Sequence, residues 1–228
     1  MSNIAIIPAR SGSKGLVDKN IRELNGIPLV GHTIIAAKKS ELFDEIMVST
    51  DSEFYREIAL KFGAKVPFLR SNANSNDNSS SWDVVKEVLD SYSKINKDFK
   101  TVFLLQPTSP LRDENDIKDA YKLYIKKRAR FVVSVSMSDC PPQWVNLIGP
   151  GLNMKNFISK EYYNKPRQDL DQFYRVNGGI YIIDKEFLFN ESYYYTNRSY
   201  AFIMDKSKSI DIDDQYDFML ADAILKSR

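Results

Sequence analysis

The sequence predicts an α/β fold, a mostly parallel sheet flanked by helices. Two observations carry that reading. Short apolar, β-branched runs recur at residues 4–7, 45–49, 101–105 and 131–135, each too short for a helix. Between them lie segments with helical apolar spacing, and a strand–helix–strand rhythm of this kind builds a parallel sheet covered on both faces. The 228 residues, 43% hydrophobic and 27% charged, are enough for one sizeable core and argue against disorder.

Taken in order, Ile4-Ala5-Ile6-Ile7 reads as a buried strand. Residues 28–39 read as a helix with Pro28 in its first turn and Leu29, Ile34 and Ile35 facing inward. A strand at 45–49 is followed by a helix over 52–62, closed by Gly63. Residues 71–81, almost all Ser and Asn, read as an exposed, mobile loop. A helix over 82–92 carries the stripe Val84, Val85, Val88 and Leu89. Then come a strand at 101–105, a helix at 114–126 and a strand at 131–135. The rhythm breaks over 136–176, which holds Cys140-Pro141-Pro142 and Gly149-Pro150-Gly151 and reads as an arm leaving the sheet. Strands return at 179–183 and 201–204. Asp213 or Asp214 caps a last helix with the stripe Phe218, Met219, Ala223 and Ile224. Residues 1–228 form a single domain with 136–176 as its one insertion.

Several function classes drop out. Lys and Arg total 32 against 30 Asp and Glu, a net charge of +2, which gives no electrostatic case for a nucleic-acid binder. No run approaches the ~20 apolar residues that span a bilayer, and the first residues lack a secretory leader. One cysteine, Cys140, excludes an intrachain disulfide and fits a cytoplasmic location. One histidine, His32, excludes a His/Cys zinc cage and argues against a Ser-His-Asp hydrolase.

Four segments can carry chemistry. The loop Pro8-Ala9-Arg10-Ser11-Gly12-Ser13-Lys14-Gly15, with Lys19 soon after, follows the first strand. Ligands of open α/β sheets sit beyond strand C-termini. Two glycines and three cations there suit a polyphosphate, although the spacing is neither GxxxxGK[ST] nor GxGxxG; a solvated basic turn is the plainer alternative. In Ser209-Ile210-Asp211-Ile212-Asp213-Asp214, a strand would put Asp211 and Asp213 on one face. Paired carboxylates suit Mg²⁺ shared with substrate phosphates; the alternative is a helix cap. The proline-framed turn after residue 105 fixes Gln106, Thr108 and Ser109 at the same edge, where Gln106 can read a base or sugar hydroxyl. Finally, Arg167 offers a fork for a carboxylate or phosphate, ahead of Asn177-Gly178-Gly179, and Tyr193-Tyr194-Tyr195 can line a sugar pocket or pack a strand edge.

Together these segments resemble one family, the bacterial CMP-sialic acid synthetases (N-acylneuraminate cytidylyltransferases). The matching stretches are Ile7-Pro8-Ala9-Arg10-Ser11-Gly12-Ser13-Lys14-Gly15 with Lys19-Asn20-Ile21, Leu104-Leu105-Gln106-Pro107-Thr108-Ser109-Pro110-Leu111-Arg112, Asn177-Gly178-Gly179-Ile180-Tyr181-Ile182, and Ser209-Ile210-Asp211-Ile212-Asp213. They stand in family order across nearly the whole chain. The resemblance implies a Rossmann-like fold of the nucleotide-diphospho-sugar transferase type, with 136–176 as a dimerisation arm and a homodimer as the working unit. It implies that CTP and a nine-carbon 2-keto sugar acid react to give a CMP-sugar and pyrophosphate, with Mg²⁺ (Mn²⁺ substituting), in the supply of bacterial surface polysaccharide.

It also implies residue roles. Arg10, Lys14 and Lys19 match positions that hold the CTP phosphates. With Asp211 they make up the catalytic set. Ser11, Gly12, Asn20, Arg70, Ser80, Ser81 and Gln106 fall on the nucleotide side. Gln106, Arg167, Gln168, Asn177, Tyr181, Tyr194 and Tyr195 fall on the sugar side, Arg167 acting across the dimer. Asp211 and Asp213 match the metal ligands. Three departures stand out: Ser71 follows Arg70 where the family has Pro, Asp139-Cys140-Pro141-Pro142-Gln143-Trp144 replaces a basic start to the arm, and Tyr194-Tyr195 replaces a Phe pair. These changes fall on the acceptor side, so legionaminic and pseudaminic acid stand beside N-acetylneuraminic acid. A metal-dependent glycosyltransferase and a nucleotide-binding regulator are the readings from other classes.

Overall fold

In the computed structural model, which describes residues 2–12, 15–76 and 79–227, the first strand shows how the sheet is buried. In β1 (Asn3–Pro8), Ile4 and Ile6 face one layer of helices while Ala5 and Ile7 face the other, all fully buried. A strand covered on both sides has no polar face, hence its unbroken apolar run. A two-strand hairpin follows, β2 (Glu23–Leu24) and β3 (Ile27–Pro28), turning at Asn25-Gly26, both at positive φ. That dipeptide is the sequence signal for a two-residue hairpin turn, and the reading above missed it.

The chain continues through α1 (Leu29–Ser40), β4 (Glu45–Ser49), α2 (Glu53–Lys61), α3 (Ser81–Lys94), β5 (Thr101–Leu104) and α4 (Glu114–Lys126). Then come β6 (Phe131–Met137), β7 (Tyr174–Asp184), α5 (Lys185–Asn190), β8 (Ser199–Ile203) and α6 (Gln215–Lys226). The main sheet runs β4-β1-β5-β7-β6-β8. All its neighbours are parallel except β7, which is antiparallel to both β5 and β6. Helices α1, α2 and α4 cover one face and α3 and α5 the other.

Most expected elements stand where the sequence put them, and β4 and α4 match to the residue. Helix starts follow their caps. Ser80 and Asp113 each close a capping box with an aspartate three residues on, satisfying backbone N–H groups that the first turn leaves unpaired.

Four expectations need correction. The strand expected at 179–183 begins at Tyr174, and β6 runs on to Met137, so both reach into the expected arm. What remains, 138–173, is exposed chain with three single-turn 3₁₀ helices, Pro142–Trp144, Pro150–Leu152 and Arg167–Asp169. Residues 209–213 form no strand; Ile212 is buried among Leu16, Leu24, Leu29 and Ala221. Helix α6 packs through Phe218, Ala221 and Leu225, leaving Met219 59% exposed, because it is apolar on more than one face and its sequence does not fix the inward side.

Candidate functional site

Strands β1, β4 and β5 end at one edge of the sheet, and their following loops build a cleft of about 450 Å³. One wall is the basic turn after β1. Arg10, Gly15, Lys19 and Asn20 line it. The buried Asn20 amide donates to the Arg10 carbonyl at 3.1 Å, which fixes the turn from within. Ser11 and Gly12 stand outside the cleft wall. Ser11 instead anchors the turn: its N–H and Oγ–H donate to the Asp51 carboxylate at 2.8 and 3.0 Å. The expected phosphate-binding Lys14 lies outside the described residues.

A second wall comes from Arg70 and the Ser/Asn segment. Arg70 is buried, and its guanidinium donates to the Ser49 hydroxyl at 3.0 Å and to the Ser49 carbonyl. Burial pushes its pKa down to about 10, with Asp51 and Glu87 opposing. The described part of the loop expected to be mobile is pinned. The Ser71 N–H and hydroxyl donate to the Glu87 carboxylate at 2.7 and 2.9 Å, and the Asn74 amide donates to it as well. Asn74, Asn76, Ser79 and Ser81 line the cleft. Ser80 does not; its hydroxyl caps α3 through Asp83.

The third wall joins Gln106, Pro107 and Thr108 to Asp213. Here two parts of the chain nearly 200 residues apart meet. The Lys19 ammonium donates to the Ile212 carbonyl at 2.8 Å and pairs with Asp213 Oδ1 at 3.2 Å. A Cβ added at Gly15 would sit 2.6 Å from the Asp213 carbonyl oxygen, so only glycine permits this approach.

Asp211 stands one residue before Ile212. Burial, first, and then the Asp213 charge raise its pKa, while Thr108, Lys19 and Arg175 oppose. Its Oδ1 is buried and has no hydrogen-bond partner. A partnerless buried carboxylate oxygen beside a second carboxylate is a donor set suited to a hard cation. Among the described residues no group of three or more His, Cys, Asp or Glu forms an all-protein metal cage. Two carboxylates suit Mg²⁺ that is shared with substrate phosphates. A second cleft of about 740 Å³ lies against the same carboxylates, walled by Asp139, Arg175 and Lys206 on one side and α6 on the other.

The expected sugar-side residues divide. Gln106 lines the first cleft, beside Pro107 and Thr108. Arg167 and Gln168 lie in the exposed arm, lining a separate cleft with Met137 and Phe173. Tyr181 and Tyr194 pack edge-on against Trp82, with ring centroids 5.7 and 5.2 Å away, and Tyr195 packs against Phe131 at 5.6 Å. Burial, with help from Tyr195 and Asp211, pushes the Tyr181 pKa up to about 12. Asn177 lines none of these three clefts; it is 1% exposed and bonded inside the protein.

The reading missed Asp51. The signal is the polar run Thr50-Asp51-Ser52 directly after a parallel strand, where functional loops gather. It also missed Glu87, whose role depends on helix α3 facing a loop distant in sequence.

A sequence model described as cytidylyltransferase matches residues 4–220. The chain belongs to the cytidylyltransferase family. It is 40% identical to an N-acylneuraminate cytidylyltransferase of Escherichia coli over 99% of its own length and 52% of that protein's, so it spans about half of that relative. It is 37% identical to a CMP-N,N'-diacetyllegionaminic acid synthase of Legionella pneumophila over 99% of its own length and 97% of the relative's. Among solved cytidylyltransferase structures, a CMP:2-keto-3-deoxy-manno-octonic acid synthetase complexed with CTP superposes with a TM-score of 0.72, covering 100% of this chain and 99% of that one. At 16% identity that likeness shows the fold alone.

Proposed function

We propose that this cytidylyltransferase joins CTP to a nonulosonic acid, giving the CMP-sugar and pyrophosphate. One observation carries the reading: the basic turn after β1 and the Asp211–Asp213 segment meet across one cleft through Lys19. The names of the relatives support the chemistry, and the matching motifs support the acceptor class.

The anomeric hydroxyl of the acceptor attacks the α-phosphorus, and the bond to pyrophosphate breaks. Arg10 and Lys19, with Lys14, neutralise the phosphates and the charge gathering on the leaving group. Arg70 holds the nucleotide side, with Ser81 and Gln106 beside it. Asp211 and Asp213 would hold Mg²⁺, for which Mn²⁺ would substitute. The ion would supply charge neutralisation near the reacting phosphate and would lower the pKa of a nearby hydroxyl. The protein contributes chiefly position and electrostatics.

The working unit is a homodimer formed through the arm. Leu147 at 90% and Leu152 at 80% exposure are apolar surface of the kind an interface covers. Arg167 and Gln168, remote from the nucleotide cleft of their own subunit, then serve the partner's acceptor site. Tyr194-Tyr195 and the acidic start of the arm favour a legionaminic- or pseudaminic-type acceptor beside N-acetylneuraminic acid.

The test is incubation with CTP, Mg²⁺ and a panel of nonulosonic acids. Pyrophosphate release and product mass are read together. Pyrophosphate is expected only with an acceptor present, alongside a CMP-sugar. CTP binding without product across the panel would instead support a regulator, and turnover of a nucleotide-sugar donor a glycosyltransferase.

A further inference from the structure

We propose that Asn177 is a positioning residue for the metal-bearing carboxylate Asp211 and makes no contact with the acceptor. The proposal rests on the reading above of Asp211 as a metal ligand. A side-chain amide has two donor hydrogens and two acceptor lone pairs. All four are engaged within the protein. Asn177 Oδ1 accepts from the Ser134 hydroxyl at 2.6 Å and from the Gly179 N–H at 3.1 Å. Its Nδ2 donates to the Ser209 hydroxyl oxygen at 2.9 Å and to Met204 Sδ at 3.4 Å. With Asn177 1% exposed, no capacity is left for a sugar hydroxyl.

Ser209 carries the connection to the site. It is 2% exposed and stands two residues before Asp211. Its hydroxyl donates to the Asp205 carbonyl at 2.7 Å, and its own carbonyl accepts from Arg175 at 3.2 Å. Asn177 therefore completes a three-point hold on the residue from which the Asp211 segment departs. On the far side, the Ile212 N–H donates to the Thr108 carbonyl at 2.8 Å. Asp211 is thus held through its backbone at both ends.

The neighbouring residue explains why the hold matters. β7 bulges against β6 here, and Gly178 has φ +73°. A Cβ at Gly178 would lie 3.3 Å from Gln106 Oε1 and 3.5 Å from Asp211 Oδ2. The Asn177–Gly178 bulge is a spacer between Gln106 and Asp211, and Asn177 locks both the spacer and the segment that faces it. Partners that orient metal ligands without touching the ion commonly govern affinity by about 10–100-fold.

The experiment compares Asn177→Ala, Ser209→Ala and the double variant. Mn²⁺ binding to the CTP complex, without acceptor, is followed by electron paramagnetic resonance. Acceptor KM is measured separately. Each single variant is expected to weaken Mn²⁺ binding about 10-fold or more, with acceptor KM within about twofold. The double variant is expected to be no worse than the weaker single, as for two ends of one contact. Unchanged Mn²⁺ binding in Ser209→Ala overturns the proposal, and that variant decides alone if Asn177→Ala does not fold. A 10-fold rise in acceptor KM in Asn177→Ala with intact Mn²⁺ binding overturns it equally. Failure of the unaltered protein to form any product would instead count against the proposed reaction, and would leave the Mn²⁺ comparison standing as the test of Asn177.

Discussion

Asp211→Asn is expected to lower kcat about 10²–10³-fold, equivalent to ~3–4 kcal/mol of transition-state stabilisation, without weakening the fold. The two halves of this result have one cause. Asp211 Oδ1 is buried without a partner, and burial raises the pKa of the carboxyl above its ordinary value of 3.8. A carboxyl whose folded pKa is raised contributes stability that is complete below 3.8 and is lost as pH rises through the folded value. At neutral pH the ionised group therefore opposes folding of the metal-free chain. Asparagine keeps the shape and removes the charge. The thermal midpoint at neutral pH should hold or rise while turnover collapses, the trade expected of a residue retained for chemistry. Steady-state kinetics and a thermal scan on the same preparation check both halves. Near-normal turnover would remove Asp211 from the machinery.

Lys19→Met should reduce kcat/KM for CTP by a comparable factor, about 10²–10³. Lys19 is the cation seen bridging the two walls of the cleft, with its side chain 16% exposed and its Asp213 partner 80% exposed. An ion pair that open to solvent contributes about 0–1 kcal/mol to folding, so the stability change should be small. The kinetic loss should be large, because on the proposed reading the ammonium faces a polyphosphate and because Ile212 and Asp213 lose the contact that aligns them. Lys19→Arg should recover only part of the activity, since a planar fork does not reproduce a compact ammonium. Full activity in Lys19→Met, measured at subsaturating CTP, would contradict this role.

Much of the architecture was legible because local and tertiary preferences agree. In β1 the absence of a polar face foretold burial on both sides. In α4 the Asp113 capping box and the buried Ile117, Ala120 and Tyr124 agree with the helix read over 114–126. The failures arise where one local pattern has two tertiary outcomes. Alternation in Ser209-Ile210-Asp211-Ile212-Asp213 imitates a strand, but the segment pairs with no neighbouring strand and buries Ser209 and Ile212 while Ile210 stays half-buried. The true start of β7 was hidden because Asn177-Gly178 reads as a break, whereas it is a bulge within a continuous strand.

The site divides in the same way. Arg10, Lys19, Arg70, Gln106 and Asp213, taken from widely separated motifs, do converge on one cleft. Ser80 stands outside the lining of that cleft: a serine before a helix can face a ligand or cap the helix, and here Asp83 is positioned to complete the cap. The Asn177 amide turns into the protein, a direction that sequence does not reveal. Glu87 acts on a distant segment, through Ser71 and Asn74, so nothing in its own surroundings exposes it, and Asp51, which holds Ser11, is marked only by the polar run after β4.

The most direct test of the shared cleft is a crystal structure of the protein with CTP and Mg²⁺ in the absence of acceptor. The account predicts the triphosphate between Arg10 and Lys19 on one side and the Asp211–Asp213 segment on the other, with the base toward Arg70 and Ser81. A nucleotide seated in the cleft beside Asp139 and Lys206, or density for the metal remote from Asp211, would contradict it.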